Sequence, residues 1–394
     1  MRTTLIRAGL LAASSFLAVG ATAKDEPPAL APAPDPKALE VIRDLGLVES
    51  GTAMRDMPGW KRPKKIVLTR MGPVEALEAA APGVKFVVVS NAAEMAAQAA
   101  DADALFSGDN VICDDRVLAA AKKARWLASY SAGVEACLGK SFFDKPGVVF
   151  TNAKALSGPV MAEHTIAVAY ALARNLDVFI PRQAKGGEIK NDPNDVQWQS
   201  MGGSTYGVKL QSMTGKTMLI VGLGGIGLEV AKRAHGLGMK VIATRASSRE
   251  GPDYVSYVGL SDELPTLIGK ADVVVSALPL IPATTNLFDE KMFARMKKTA
   301  YFINVGRGGS VVTNDLAKAL QTGVIAGASV DVTEPEPLPP DHPLWKAPHV
   351  IITPHVSGQS ELGVKSREVV LREQVRRYAA GDKLLSVVDM KKGY

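Results

Sequence analysis

From Lys64 onward, short apolar runs alternate with stretches whose apolar residues recur at helical spacing. "KKIVLTR", "VKFVVVS", "ADALFSG" and "RWLASYS" read as strands. Between them "AAEMAAQAA" and "DRVLAAAKKA" read as helices, the latter capped at Asp114 or Asp115. A second series opens with "KTMLIVGLGGIG" and continues through "MKVIATR", "ADVVVSALP", "AYFINVG", "IAGASVDV" and "HVIITPH". Alternation of this kind predicts an α/β fold with parallel, helix-covered sheets. The length, 394 residues, suits two domains of ordinary size.

Other stretches follow different rules. Residues 157–183 predict one long, mostly apolar helix lying between the two domains, and 185–212 are loop-like in composition. "QSELGVKSREVVLREQVRRYAAG" near the end predicts an amphipathic helix. Residues 24–63 are rich in Pro, Ala and charge and read as a leader that is flexible at its start, although "PKALEVIRDLGLVESG" could form a short helix. Regular order is expected to begin at "KKIVLTR". The first 23 residues have basic Arg2 and Arg7, an apolar run from Ala8 to about Ala21, and the small-x-small site Ala21-Thr22-Ala23. That is the layout of a cleaved export signal, too short for a membrane span. It predicts a periplasmic or secreted protein starting at Lys24, or a cytoplasmic one if the signal is unused. No stable membrane anchor is expected.

Composition narrows the classes. Hydrophobic content is 47% and charged content 22%, ordinary for a globular chain with a full core. Removing residues 1–23 takes away two arginines and no acid, lowering the net charge from +6 to +4. The basic run "KRPKK" (61–65) lacks interleaved aromatics and any binding motif, so no nucleic-acid partner is expected. The five histidines show no zinc-like spacing, so no metal is expected. Cys113 and Cys137 are read as two free, mostly buried thiols, although an exported protein could join them.

One motif carries a cofactor. In "TMLIVGLGGIGLEV" the pattern G-x-G-x-x-G falls on Gly222, Gly224 and Gly227, after an apolar strand and at the start of a helix. Gly222 permits the tight turn, Gly224 lets backbone amides approach a pyrophosphate, and Gly227 lets helix pack on strand. Gly225 and Ile226 complete the phosphate-binding turn, with the helix N-terminus adding partial positive charge. Thr244 stands where an acid would hold the ribose 2′-hydroxyl of NAD. Arg245, Ser247, Ser248 and Arg249 follow it, and such donors suit a 2′-phosphate. NADP(H) is therefore expected over NAD(H), which remains possible.

"INVGRGGSVV" (303–312), "SVDVTEPEPLP" (329–339) and "TPHVSG" (353–358) follow the glycine motif in order. With "VVVSALPLIPATTNLFDEKMF" (273–293), they make residues 64–385 resemble the D-isomer-specific 2-hydroxyacid dehydrogenase family. The resemblance implies two Rossmann-like domains with an active-site cleft between them. The substrate domain would span 64–157, completed by 357–394, and the cofactor domain 158–356. It implies Arg307 as clamp for substrate carboxylate and carbonyl, His355 as acid–base and Glu336 as its carboxylate partner. The set is chemically coherent: an imidazolium gives a proton to the carbonyl oxygen, a carboxylate fixes its tautomer, and a guanidinium grips a carboxylate bidentately. "ASYSAGVEAC" resembles the substrate-carboxylate loop, with Ser131, Ala132 and Gly133 as contacts, and "FSG" (106–108) is expected to line the same cleft. Asp331 resembles a residue near the nicotinamide and Pro279 one under the cofactor. His164, His235, His342 and His349 are read as structural or surface.

The resemblance thus implies an enzyme reducing small 2-oxoacids, such as glyoxylate or hydroxypyruvate, to D-2-hydroxyacids, commonly as a homodimer. Two rivals stay open. One is a relative oxidising phosphite or formate, the latter disfavoured because that branch typically has Gln where Glu336 stands. The other is a nucleotide-sensing binding protein on the same fold.

Overall fold

The computed structural model describes residues 32–70, 72–184 and 210–393. The export signal expected over 1–23 and most of the loop expected over 185–212 lie outside the described residues. Twelve described strands form two sheets, all of whose pairings are parallel. The first holds β1 (Lys65–Thr69), β2 (Lys85–Val89), β3 (Ala104–Ser107), β4 (Trp126–Ser129) and β5 (Val149–Thr151), in the order β2-β1-β3-β4-β5. The second holds β6 (Thr217–Val221), β7 (Lys240–Arg245), β8 (Tyr257–Leu260), β9 (Val273–Ser276), β10 (Tyr301–Asn304), β11 (Gly327–Val330) and β12 (Val350–Ile352). Its order is β12-β11-β10-β9-β6-β7-β8. β5 and β8 are edge strands of three and four residues.

Both orders reverse direction once, at β1/β3 and at β6/β9. Ligands bind outside the carboxyl ends of strands at such points. Alternate residues feed opposite faces, as the period of two requires. Leu219 and Val221 join one apolar cluster, Met218 and Ile220 the other. In the smaller sheet Val67 and Leu105 face one cluster, Ile66, Leu68 and Phe106 the second. Helix Glu361–Ala380 returns to that second cluster through Leu371, Val375 and Tyr378.

Order begins well before Lys64: helix Pro36–Asp44, capped by the Asp35 side chain, packs near helix 361–380. Met54, in a short turn of helix, is 1% exposed. The segment is ordered because it covers a helix that is not amphipathic in place. Glu373, Arg376 and Arg377 are buried within helix 361–380 and pair with one another. The single helix expected over 157–183 breaks at Asn175, which has φ 54°, into Gly158–Ala173 and Leu176–Ala184. The first piece packs on helix Gly225–Gly236, on the cofactor sheet rather than between two domains. Cys113 and Cys137 are joined, with Cα atoms 5.0 Å apart, within disulfide reach. Phe106 belongs to the core, and Ser107 is buried with its hydroxyl 2.9 Å from that of Thr69, so of "FSG" only Gly108 reaches the strand tip.

Candidate active site

The glycine turn has the shape a dinucleotide needs. Gly222 has φ 99°, open to glycine at little cost, and a Cβ there would sit 2.9 Å from the Ala277 carbonyl oxygen. A Cβ on Gly227 would fall 2.3 Å from the Gly222 oxygen, so this glycine sets how closely helix 225–236 approaches β6. Above Gly224, the helix N-cap, a Cβ would meet no protein atom within 4 Å. That open cradle at a helix N-terminus fits a pyrophosphate. Gly225 lies against Ala155 and Ile226 is half-buried. Pro279 follows β9, at the switch point, where its carbonyl accepts from Thr284 Oγ1 (2.7 Å).

At the end of β7, Thr244 is buried and its carbonyl accepts from the amides of Gly222 (3.2 Å) and Leu223 (3.0 Å). The two arginines beyond it differ. Arg245 donates through Nη1 to the Glu250 carbonyl (2.9 Å) and is half-buried. Arg249 is exposed but already paired with Glu263 (2.7 Å) and the Tyr257 hydroxyl (3.2 Å). Ser247 is exposed, and the Ser248 hydroxyl accepts from the Glu250 amide. Arg245 is thus the better phosphate donor, since Arg249 must first leave an acid.

Arg307 sits on a loop squeezed between neighbouring strand ends. Buried Asn304 ends β10, accepts from the Gly306 amide (3.1 Å) and donates to the Arg307 carbonyl (3.0 Å). Only glycine fits at 308, where a Cβ would lie 1.9 Å from the Thr333 oxygen. The Arg307 guanidinium donates through Nε to Glu135 (2.9 Å) and through Nη1 to the Gly306 carbonyl (2.9 Å). Glu135 belongs to the other sheet's lobe, on the turn Glu135–Cys137 after the Ser131–Gly133 loop. Ser131 bonds Ser129, Ala132 is exposed, and Gly133 lies under Arg307. Among the described residues the amides of Ala132 and Gly133 donate no hydrogen bond, which suits an anion contact. Glu135 was not singled out by sequence; its only signal was its place two residues after Gly133.

His355 and Glu336 meet: Nδ1 lies 2.6 Å from Oε1, with both side chains about half exposed. His355 has φ 55°, a left-handed conformation found more often for His than for most residues. Asp331 holds it there. This carboxylate is 2% exposed and accepts from Thr353 Oγ1 (2.6 Å) and the amides of Val356 (2.9 Å) and Ser357 (3.0 Å). Burial pushes its carboxyl up, but hydrogen bonds from Ser357, Thr353 and Val356 outweigh that and hold it below the usual range. Asp331 is therefore a strut for the histidine loop. His164, on helix 158–173, approaches the same strut, with Nε2 3.5 Å from Thr353 Oγ1. Burial lowers its pKa, partly countered by Asp331.

A dinucleotide cradle, an arginine facing an anion-ready loop and a paired histidine define a two-lobed, nucleotide-dependent enzyme fold. The NAD-binding domain of the D-isomer specific 2-hydroxyacid dehydrogenase family matches residues 168–357. A glyoxylate reductase of Thermofilum pendens is 31% identical over 300 residues, 74% of this chain and 85% of that protein. Among solved structures, a D-isomer specific 2-hydroxyacid dehydrogenase family protein from Aeromonas salmonicida is 28% identical with TM-score 0.68, covering 83% of this chain and 99% of that one. An NADPH-dependent glyoxylate/hydroxypyruvate reductase from Sinorhizobium meliloti, solved with NADP and sulfate, is 26% identical with TM-score 0.67, covering 84% and 100%. The chain belongs to the D-isomer specific 2-hydroxyacid dehydrogenase family and is an oxidoreductase.

Proposed function

We propose that this protein reduces glyoxylate, hydroxypyruvate and similar small 2-oxoacids to D-2-hydroxyacids with NADPH. The observation that carries the reading is the 2.6 Å contact of His355 with Glu336 beside a loop that presents Arg307. Residues 222–227 and the helix they open would hold the pyrophosphate, and Arg245 the 2′-phosphate. NADPH, when bound, supplies a hydride to the substrate's carbonyl carbon. Arg307 and the amides of Ala132 and Gly133 bind the carboxylate, and Arg307 polarises the carbonyl. Glu336 on Nδ1 leaves Nε2 of the imidazolium to donate a proton to the carbonyl oxygen. That nitrogen regains its proton from solvent, which the half-exposed side chain reaches.

The NADPH preference is supported by Thr244 in place of an acid and by Arg245 beside it. Export belongs to the same proposal: N-terminal sequencing after cell fractionation should find Lys24 first, and intact Met1 in the cytoplasm would refute it. The enzymatic test follows NADPH and NADH absorbance with glyoxylate, hydroxypyruvate, pyruvate and a bulkier 2-oxoacid. His355→Gln should cost about 10²–10⁴-fold in kcat, the usual size of a general-acid contribution. Unchanged turnover in that variant would remove the assigned role, and turnover favouring NADH would remove the reading of Arg245.

A further inference from the structure

We propose that Glu135 makes this site selective for 2-oxoacids bearing a single negative charge; the inference rests on the reductase reading above. Three observations converge. The Glu135–Arg307 pair crosses from one lobe to the other, so the substrate clamp carries an acid before any substrate arrives. The pair is largely screened from solvent, with side chains 31% and 26% exposed. Glu135 and the clamp also share one small space. A Cβ on Gly133 would lie 2.4 Å from Arg307 Nη2 and 2.6 Å from Glu135 Oε2.

Glu135 takes the Nε edge of the guanidinium and the Gly306 carbonyl takes one Nη1 hydrogen. The remaining N–H groups, with the Gly133 amide, can grip one carboxylate. A second anionic group on a substrate this small must then lie a few ångströms from Glu135. In a partly desolvated cleft that repulsion is strong, whereas the single carboxylate of glyoxylate, hydroxypyruvate or pyruvate is matched by the clamp. Glu135 does not touch the reacting atoms in this account; it sets which charge the pocket accepts.

Oxamate and oxalate test this directly, because they are nearly the same shape and differ by one charge. Each is titrated calorimetrically into the full-length protein saturated with NADPH. Wild type should bind oxamate at least about tenfold more tightly than oxalate, as expected for one repulsive contact at reduced dielectric. Glu135→Gln keeps an oxygen to accept from Arg307 Nε but removes the charge. It should narrow that ratio about tenfold, chiefly by tighter oxalate binding. Glu135→Asp keeps the charge and should preserve the preference, which a merely structural role for Glu135 would not do. Wild type that binds oxalate as tightly as oxamate, or an oxalate/oxamate ratio unchanged in Glu135→Gln, overturns the proposal while leaving the reductase standing. Failure of wild type to bind either anion overturns the reductase reading and the proposal with it.

Discussion

The two lobes reach stability by different means. The seven-stranded lobe is closed by two large apolar clusters, one on each face of its sheet. The five-stranded lobe adds covalent and ionic ties to smaller clusters. The Cys113–Cys137 bond closes a loop spanning 24 positions next to the substrate turn. Glu373, 1% exposed, is gripped by Arg376 (2.9 Å) and Arg377 (2.8 Å). Arg377 continues to Glu49 (2.6 Å) and Arg376 to Asp382 (3.2 Å), which also meets Arg55. This charged network sews the early segment and the C-terminal tail onto one helix. The sheet with fewer strands has less apolar area to bury, and cross-links compensate.

The largest expected effect is at Glu373. Replacing it with Ala leaves two buried guanidiniums without their shared partner, and should cost about 3–5 kcal/mol. Urea denaturation followed by Trp fluorescence, for which Trp126 reports on the smaller sheet, should show that lobe unfolding first. A single, unshifted transition would mean that the network is dispensable. Next in size is Cys113→Ser with Cys137→Ser, which should destabilise by about 3 kcal/mol through loop entropy. Equal stability with and without reductant would place the lobe's strength elsewhere.

At the cofactor turn the expected effect is on binding, with stability unchanged. Arg245→Ala removes a charged donor worth about 2 kcal/mol, so the KM for NADPH should rise roughly 30-fold with little change for NADH. Equal effects on both cofactors would detach Arg245 from the 2′-phosphate. The smallest effect concerns Asp331. Its folded pKa lies below the ordinary carboxylate value, so its contribution is complete above that value and fades as pH falls through the folded one. The stability gap between wild type and Asp331→Asn should therefore be widest near neutrality and narrow below about pH 4. A gap independent of pH would mean that the carboxylate's charge does not hold the histidine loop.

Legibility differed between lobes for the same physical reason. Parallel strands buried on both faces are continuous apolar runs, so most of the second series could be read directly from its pattern. β5 and β8 could not, because Thr151 and Gly259 interrupt their apolar runs. The burial of helix 361–380 was hidden because its interior residues Glu373, Arg376 and Arg377 look like a solvated face until Glu49 and Asp382 are brought beside them. Asp331 stood out as a motif residue, yet its work as a strut depends on Thr353, Val356 and Ser357, which lie 22 to 26 positions away.

By itself, the order of residues determined the alternation of strand and helix, the glycine turn and the chemical types carried at strand ends, because these depend on local spacing and on residue chemistry. Tertiary structure alone decided that Cys113 meets Cys137, that the segment before Lys64 is part of the smaller lobe, and that Arg307 is held by Glu135. Each joins groups far apart in the chain, and such a contact exists only where two packed surfaces meet.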